Sequence, residues 1–288
     1  MSHARTVGFV GLGLMGQPMA LRIKDQQRLA GAWNRTGGRT EGFTAEEIVE
    51  SPAELAERAH FIALMLTDER AVLQVLRERG LLTALTPKHV VLNFSTVGPR
   101  AAGVLDELVR LQGASYLDLP VLGSIEPARS GELILFAGGE SDVIERCRPI
   151  LESVAKKIYP LGPVGRGSQM KLIANMLLAR YVEALGEILA LAECFQLPPS
   201  MAVSILQQSV LASPMWNKAA VLLSGEVPVH FPLKHMAKDL RLLDEEVERS
   251  GLSLPAHEAV HAVFQEALTA GMGEGDYSTL ANWIRRRS

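Results

Sequence analysis

Three sets of residues in this chain have the types and spacing that could do chemistry. The first is Gly11-Leu-Gly13-Leu14-Met15-Gly16, placed after the apolar run Val7-Gly-Phe-Val10 and before a helix-like segment at residues 17–24. In a G-x-G-x-x-G pattern one glycine makes a tight turn, one lets backbone approach a pyrophosphate, and one lets helix pack on strand. The N–H groups and dipole at the start of the following helix then favour phosphate. Three glycines alone are a weak signal, but a strand before and a helix after, at the head of a βαβ unit, is the context the motif requires. The opposing reading is a structural turn that binds nothing.

The end of the next apolar run bears on which dinucleotide fits. A site for an unphosphorylated ribose carries Asp or Glu about 20 residues on, to bind the 2′-hydroxyl. Here Leu29–Trp33 ends in Asn34-Arg35-Thr36. No carboxylate is present to repel a 2′-phosphate. Arg35 offers charge and a forked donor set, and Asn34 and Thr36 can add neutral hydrogen bonds. NADP(H) is therefore expected over NAD(H). The plain alternative is an ordinary surface arginine.

The second set is Gly165-Arg-Gly167-Ser-Gln-Met-Lys171-Leu-Ile-Ala-Asn175. Lys171 and Asn175 stand four apart and share a helix face. Apolar residues surround them, and a lysine that loses hydration has its pKa lowered, which suits proton transfer. Against this stands a lysine stem lying along apolar surface with its head in water. The third set, His257-Glu258-Ala-Val-His261, matches H-E-x-x-H. Two histidines one helical turn apart could hold zinc with Glu258 as base, so a metallohydrolase is a rival reading; it needs a third ligand and leaves the first 250 or so residues unexplained.

These residues need elements to position them. Short apolar runs at 6–10, 29–33, 60–66, 89–94, 115–117, 133–136 and 157–159 read as strands, with helical periodicity between them, as at 71–79 and 100–111. That alternation predicts a doubly wound, mostly parallel Rossmann sheet over residues 1–164. Leu161-Gly-Pro-Val-Gly-Arg-Gly167 is a turn-rich boundary. From Ser168 to Phe195 there is no proline and a single glycine, Gly186. A helix of that length spans roughly 40 Å. It is apolar over more of its surface than a surface helix needs, which marks it as a long interdomain helix and the core of a second domain. Helices at 200–211, 214–223, 234–250 and 256–270 complete an all-helical domain, 165–288, for substrate binding and dimerisation.

Composition narrows the classes. The chain has 288 residues, 48% hydrophobic and 21% charged, with a formal net charge of −3. That is ordinary globular material with no pull toward nucleic acid or anionic membrane. Two cysteines suit a reducing compartment and exclude a disulfide framework. Charged residues interrupt the longest apolar stretch, which argues against a membrane span, and Met1 to Arg5 carry no leader pattern. A cytoplasmic protein is expected, with the basic run Arg285-Arg286-Arg287 as a solvated tail.

Together these motifs carry a resemblance. Gly11-Leu-Gly-Leu-Met-Gly-Gln-Pro-Met19, the Gly165 to Asn175 segment and Lys238-Asp239-Leu240 resemble the fingerprints of the β-hydroxyacid dehydrogenase family. That family includes 3-hydroxyisobutyrate dehydrogenase, tartronate semialdehyde reductase and glyoxylate/succinic semialdehyde reductase, and the resemblance runs over almost the whole chain. Phe231-Pro-Leu-Lys-His-Met-Ala-Lys238-Asp-Leu-Arg241, with Ala212-Ser-Pro-Met215 and Gly131-Glu-Leu-Ile-Leu135, is most similar to the glyoxylate/succinic semialdehyde reductase branch. The resemblance implies hydride transfer between a nicotinamide and a small β-hydroxyacid or semialdehyde. Lys171 would be general acid/base with Asn175 as its partner. Gly11, Gly13, Leu14, Met15, Gly16, Asn34, Arg35, Thr36, Met65, Leu66 and Thr96 would hold NADP(H), and Lys238 would reach it from the helical domain. Substrate would lie between the domains near Thr96, Leu122, Gly123, Ser124, Lys171, Phe231 and Asp239. A homodimer or homotetramer is implied as well.

One position departs from the pattern. The family's substrate loop reads Asp-x-Pro-Val-Ser-Gly-Gly, whereas this chain has Asp118-Leu-Pro-Val-Leu122-Gly-Ser124. A leucine replaces the serine that helps hold a substrate carboxylate, so the pocket is less polar, although oriented N–H groups around Gly123 could still meet an anion. This leaves room for an imine reductase, a related group that usually lacks the lysine. A further alternative is a non-enzymatic scaffold, since members of the superfamily can lose the lysine and persist; here Lys171 and Asn175 are both present.

Overall fold

The computed structural model describes residues 6–37 and 39–287. The segment from Met1 to Arg5, read above as leaderless, lies outside the described residues. The chain forms two compact units that divide between Lys171 and Leu172.

Unit 1 is built on eight strands: β1 (Val7–Val10), β2 (Leu29–Trp33), β3 (Phe61–Leu64), β4 (Val90–Asn93), β5 (Ser115–Asp118), β6 (Val121–Leu122), β7 (Leu133–Gly138) and β8 (Ala155–Gly162). Their order is β2-β1-β3-β4-β5-β7-β6, with β8 also paired to β7. β1 to β5 are mutually parallel, while β7 runs antiparallel to β5 and β6 and parallel to β8. The two-residue β6 has too little sequence for a periodicity to register, and it was absent from the expected strands. Between the strands lie α1 (Gly16–Asp25), α2 (Pro52–Arg58), α3 (Glu69–Leu73), α4 (Leu81–Ala84), α5 (Pro99–Arg110), α6 (Ile125–Ser130) and α7 (Ser141–Val154).

The strands are apolar on both faces because each face is covered. Val7 and Phe9 pack with Met19 and Ile23 of α1 and Ile150 of α7. Val10 points the other way, into a core with Leu55 of α2 and Leu105 of α5. Helix starts are written locally. Ser51 accepts from Glu54 N–H ahead of Pro52, and Asp68 accepts from Ala71 N–H at 2.8 Å. The order reverses between β1 and β3, so the glycine turn after β1 stands at the topological switch point, where such sheets take ligands.

Unit 2 holds most of α8 (Arg166–Cys194), then α9 (Pro199–Gln207), α10 (Lys218–Ser224), α11 (Leu233–Ser250), α12 (Pro255–Thr269) and α13 (Thr279–Arg287). Its core joins Val182, Leu185 and Leu189 of α8 to Leu240 of α11, Phe264 of α12 and Leu280 of α13. α13 corrects the expected solvated tail. Leu280, Ala281 and Ile284 are buried. Arg285 pairs with Glu193 at 2.7 Å, and Arg287 pairs with Glu266 and lies 4.3 Å from the Trp283 ring centroid. The basic last turn also complements the helix dipole. Gly186 belongs to the same contact: a Cβ there would come within 2.9 Å of Ile284 Cβ. Among the described residues, no helix is long and apolar enough to cross a membrane.

Candidate active site

The parallel strands of unit 1 deliver the expected cofactor residues to one edge of the sheet. Gly11 to Gly16 follow β1, Asn34 to Thr36 follow β2, Met65 and Leu66 follow β3, and Thr96 follows β4. Gly11 has φ +97°, a left-handed conformation that disfavours a side chain, and a Cβ there would stand 2.3 Å from Met65 O. Gly16 is equally tight against Gly11 O, at 1.9 Å. Gly13 differs: nothing lies within 4 Å of where its Cβ would be. The open side of the turn is therefore at Gly13. α1 begins three residues later, at Gly16, with no side-chain cap and no acid in its first turn, so its leading N–H groups suit an anion. These features fit a dinucleotide pyrophosphate.

Asn34 has a role not foreseen. Its Oδ1 accepts from Leu12 N–H at 3.1 Å, and its Nδ2 donates to Thr36 O at 2.6 Å. Its amide ties the glycine turn to the turn that carries Arg35, and Arg35 itself is exposed. A second buried chain runs across the edge. Leu66 N–H donates to Ser95 Oγ at 2.9 Å, Ser95 N–H to Asn93 Oδ1 at 3.1 Å, and Asn93 Nδ2 to Tyr116 Oη at 2.8 Å. The loops bearing Leu66 and Thr96 are thereby fixed to β4 and β5.

The strongest anchor is Asp118, fully buried at the end of β5. Its Oδ2 accepts from Ser168 N–H at 2.8 Å and Gly165 N–H at 3.2 Å, and its Oδ1 accepts from Ser168 Oγ at 2.8 Å. The first turn of α8 is thus held to the same strand edge, and Lys171 follows three residues later. Sequence reasoning quoted Asp118 but gave it no task. The available signal was a carboxylate ending a buried strand, which must find donors; its donors lie about fifty residues away. Burial, the largest influence, pushes this carboxyl from 3.8 up to about 6, against the three donors that favour its ionised form.

The remaining expected residues divide into two places. Leu122 ends β6 half-buried, and Gly123 and Ser124 are exposed ahead of α6. In unit 2, Asn175 Nδ2 donates to Asp239 Oδ2 at 2.5 Å, and Lys238 Nζ lies 2.9 Å from Asp239 Oδ1. Asn175 Oδ1 is buried and accepts no hydrogen bond within the described residues. The Phe231 ring lies 5.6 Å from that of Tyr277, and its N–H donates to Asp276 Oδ2 at 3.1 Å. His257 and His261 both face the carboxylate of Asp244, His257 at 2.6 Å. Among the described residues no three His, Cys, Asp or Glu side chains form a group that could hold a metal ion, so the zinc reading gains no third ligand.

Two family models cover nearly all of the chain. One, for the NAD binding domain of 6-phosphogluconate dehydrogenase, matches residues 6–162. The other, for the NAD-binding domain of NADP-dependent 3-hydroxyisobutyrate dehydrogenase, matches residues 165–284. The chain belongs to the 3-hydroxyisobutyrate dehydrogenase-like family of β-hydroxyacid dehydrogenases. It is an NAD(P)-dependent oxidoreductase of the CH–OH/carbonyl class. Glyoxylate/succinic semialdehyde reductase 1 of Arabidopsis thaliana is 30% identical over 283 residues, covering 97% of this chain and 98% of that protein. The same plant's glyoxylate/succinic semialdehyde reductase 2, chloroplastic, is 28% identical over 284 residues, covering 97% of this chain and 79% of that protein. The 3-hydroxyisobutyrate dehydrogenase of Mycobacterium tuberculosis, solved with L-serine, is 25% identical with a TM-score of 0.84, covering 98% of this chain and 99% of that one.

Two outcomes are expected of this dehydrogenase. Gly11→Ala lowers unfolding stability by about 3 kcal/mol or more, through backbone strain plus the clash with Met65 O. Gly13→Ala leaves the urea midpoint unchanged yet weakens dinucleotide binding by about tenfold, since its methyl meets only the ligand. Urea melts and cofactor titrations of both variants separate the two roles. The second outcome concerns pH. The fold keeps the Asp118 proton where the unfolded chain has lost it, so this group's contribution to stability is complete below about pH 4 and is lost as pH rises through about 6. Asp118→Asn removes that slope. Urea midpoints from pH 4 to 7.5 that run parallel for the two proteins would contradict the assignment.

Proposed function

We propose that the enzyme is an NADPH-dependent reductase of glyoxylate or a small semialdehyde, with Lys171 as its catalytic residue. The observation that carries this is the Asp118 clamp, which brings the turn preceding Lys171 to the strand edge that also bears the glycine turn. The two plant reductases supply the substrate class. Glycine-turn backbone and the start of α1 would hold the pyrophosphate, and Arg35 the 2′-phosphate. Met65, Leu66 and Thr96 would flank the nicotinamide side, with Lys238 contributing from unit 2. Nicotinamide, when bound, supplies hydride to the carbonyl carbon.

The remaining work falls to side chains. The Lys171 ammonium stabilises charge developing on the carbonyl oxygen and donates a proton to it; in oxidation it takes that proton back. Asn175 serves as an acceptor. Its Nδ2 is committed to Asp239, so the free atom is Oδ1, which can take an N–H of Lys171 one turn earlier or the hydroxyl of the product. Leu122 removes a hydroxyl from the substrate loop, which leaves Gly123, Ser124, Phe231 and Asp239 as the other proposed substrate contacts. The chain has two cysteines, a count in keeping with a reducing compartment, and we place the enzyme in the cytoplasm as a homodimer or homotetramer.

Lys171→Ala is expected to lower kcat by roughly 10²–10⁴ while dinucleotide affinity is largely kept. The assay follows NADPH oxidation with glyoxylate, succinic semialdehyde, methylmalonate semialdehyde, tartronate semialdehyde and a cyclic imine. Turnover of the imine alone would show that Leu122 has redirected the site and would remove the carboxylate substrates. Arg35→Ala is expected to raise KM for NADPH by about 10-fold or more and to leave KM for NADH nearly unchanged. Equal effects on both would sink the 2′-phosphate assignment.

A further inference from the structure

Asp276 stands between α12 and α13, and its side chain is fully buried. Its two oxygens do different work. Oδ1 accepts from Ser278 N–H at 3.1 Å and from the Ser278 hydroxyl, at the head of α13, and it meets Lys218 Nζ at 3.1 Å. Oδ2 accepts from two successive backbone amides, His230 N–H at 2.9 Å and Phe231 N–H at 3.1 Å. Burial pushes the carboxyl up, but the Ser278 hydroxyl, the Lys218 charge and the two amides outweigh it and hold the group below the usual carboxylate range. It is therefore an anion at neutral pH, and both oxygens are acceptors.

A cap for α13 needs Oδ1 alone. Oδ2 serves a different segment, 45 and 46 residues earlier. Phe231 is pinned from its other side as well: its carbonyl accepts from Tyr277 N–H at 2.8 Å. Its ring meets Tyr277 edge-on, with centroids 5.6 Å apart, and stacks on His235, with centroids 6.3 Å apart. Lys218 Nζ lies 4.5 Å from the centroid of the Tyr277 ring. The cation that balances Asp276 thus also backs the ring on which Phe231 leans. Around it Gly225, Glu226, Pro228 and His230 are exposed. A buried charge gives one orientation to a half-buried aromatic ring in an otherwise exposed segment.

We propose that Asp276 is the positioning residue for Phe231 and, through it, for the substrate, with Lys218 as its counter-ion. Asp276 touches no reactant; it fixes the backbone from which the Phe231 ring projects. The inference rests on the reading of Phe231 as a substrate contact and adds what holds that contact in place. Ordering a binding group before substrate arrives removes a cost from binding. Loss of the device therefore appears in KM and spares kcat.

The test is the kinetics of Asp276→Asn with whichever compound of the carbonyl and imine panel the parent enzyme turns over, so that failure of the glyoxylate and semialdehyde reading leaves it intact. Asparagine has one oxygen and cannot serve both segments. KM for that compound is expected to rise by about tenfold, with kcat within about threefold of the parent and KM for the dinucleotide unchanged. Hydrogen exchange at the His230 and Phe231 amides is expected to quicken by about tenfold or more. Phe231→Ala is expected to raise KM by itself, and Asp276→Asn added to it to raise KM little further, because the two act as one unit. Lys218 is 29% exposed, so Lys218→Met carries the test if Asp276→Asn does not fold, with KM raised by about threefold. Ser278→Ala is expected to lower the urea midpoint through the weakened cap and to leave KM alone. Full additivity of Asp276→Asn with Phe231→Ala, an unchanged KM or unchanged exchange in Asp276→Asn, or a rise in Ser278→Ala equal to that in Asp276→Asn would each overturn the assignment. An unchanged KM in Phe231→Ala would remove Phe231 from the substrate contacts, and the inference with it.

Discussion

Asp118 is a carboxylate taken wholly out of water, and it is tolerable there because three donors from the head of α8 converge on it. The sheet and the first turn of α8 meet through that group. The parallel strands fix where Asp118 ends, Asp118 fixes where α8 starts, and Lys171 follows in the same unit three residues after Ser168. A charged hydrogen bond suits the task because it is directional, whereas apolar packing alone would let the helix start slide along the strand. The cost appears as a carboxyl that resists ionisation.

Around this anchor the edge of unit 1 is stiffened by short polar chains instead of one large network. Asn34 joins the turns after β1 and β2, and the run from Leu66 through Ser95 and Asn93 to Tyr116 joins those after β3, β4 and β5. Each buried polar atom in these chains holds a loop whose outer face is left open. Asp276 does similar work in unit 2, where it accepts from the backbone of His230 and Phe231 and from Lys218. Backbone shape here is set from behind, which leaves the open faces available to ligand.

The sequence made visible whatever is local. The strand limits of β2, the glycine turn, the switch to helices after Gly165 and the start of α11 all follow from periodicity or from glycine and proline within a few residues. What stayed hidden is non-local. Ser168 finds Asp118 across about fifty residues, and Asn34 finds Leu12 across about twenty. Arg285-Arg286-Arg287 reads as a tail because the charged end dominates a short segment whose buried face has Leu280, Ala281 and Ile284 to announce it. The meaning of Gly186 could not be read without the helix that presses on it. The shortest strand, β6, has no period to detect.

The double engagement of Asn34 has a bearing on how cofactor preference can evolve in this scaffold. A dinucleotide site usually changes its ribose selectivity by placing an acid at the end of the second strand. In this chain that residue is also the strut beneath the glycine turn, and a carboxylate there could still accept from Leu12 N–H but would have nothing to donate to Thr36 O. Lineages descending from it would meet a rugged path at residue 34, where a substitution also disturbs the glycine turn, and a smooth one at the exposed Arg35.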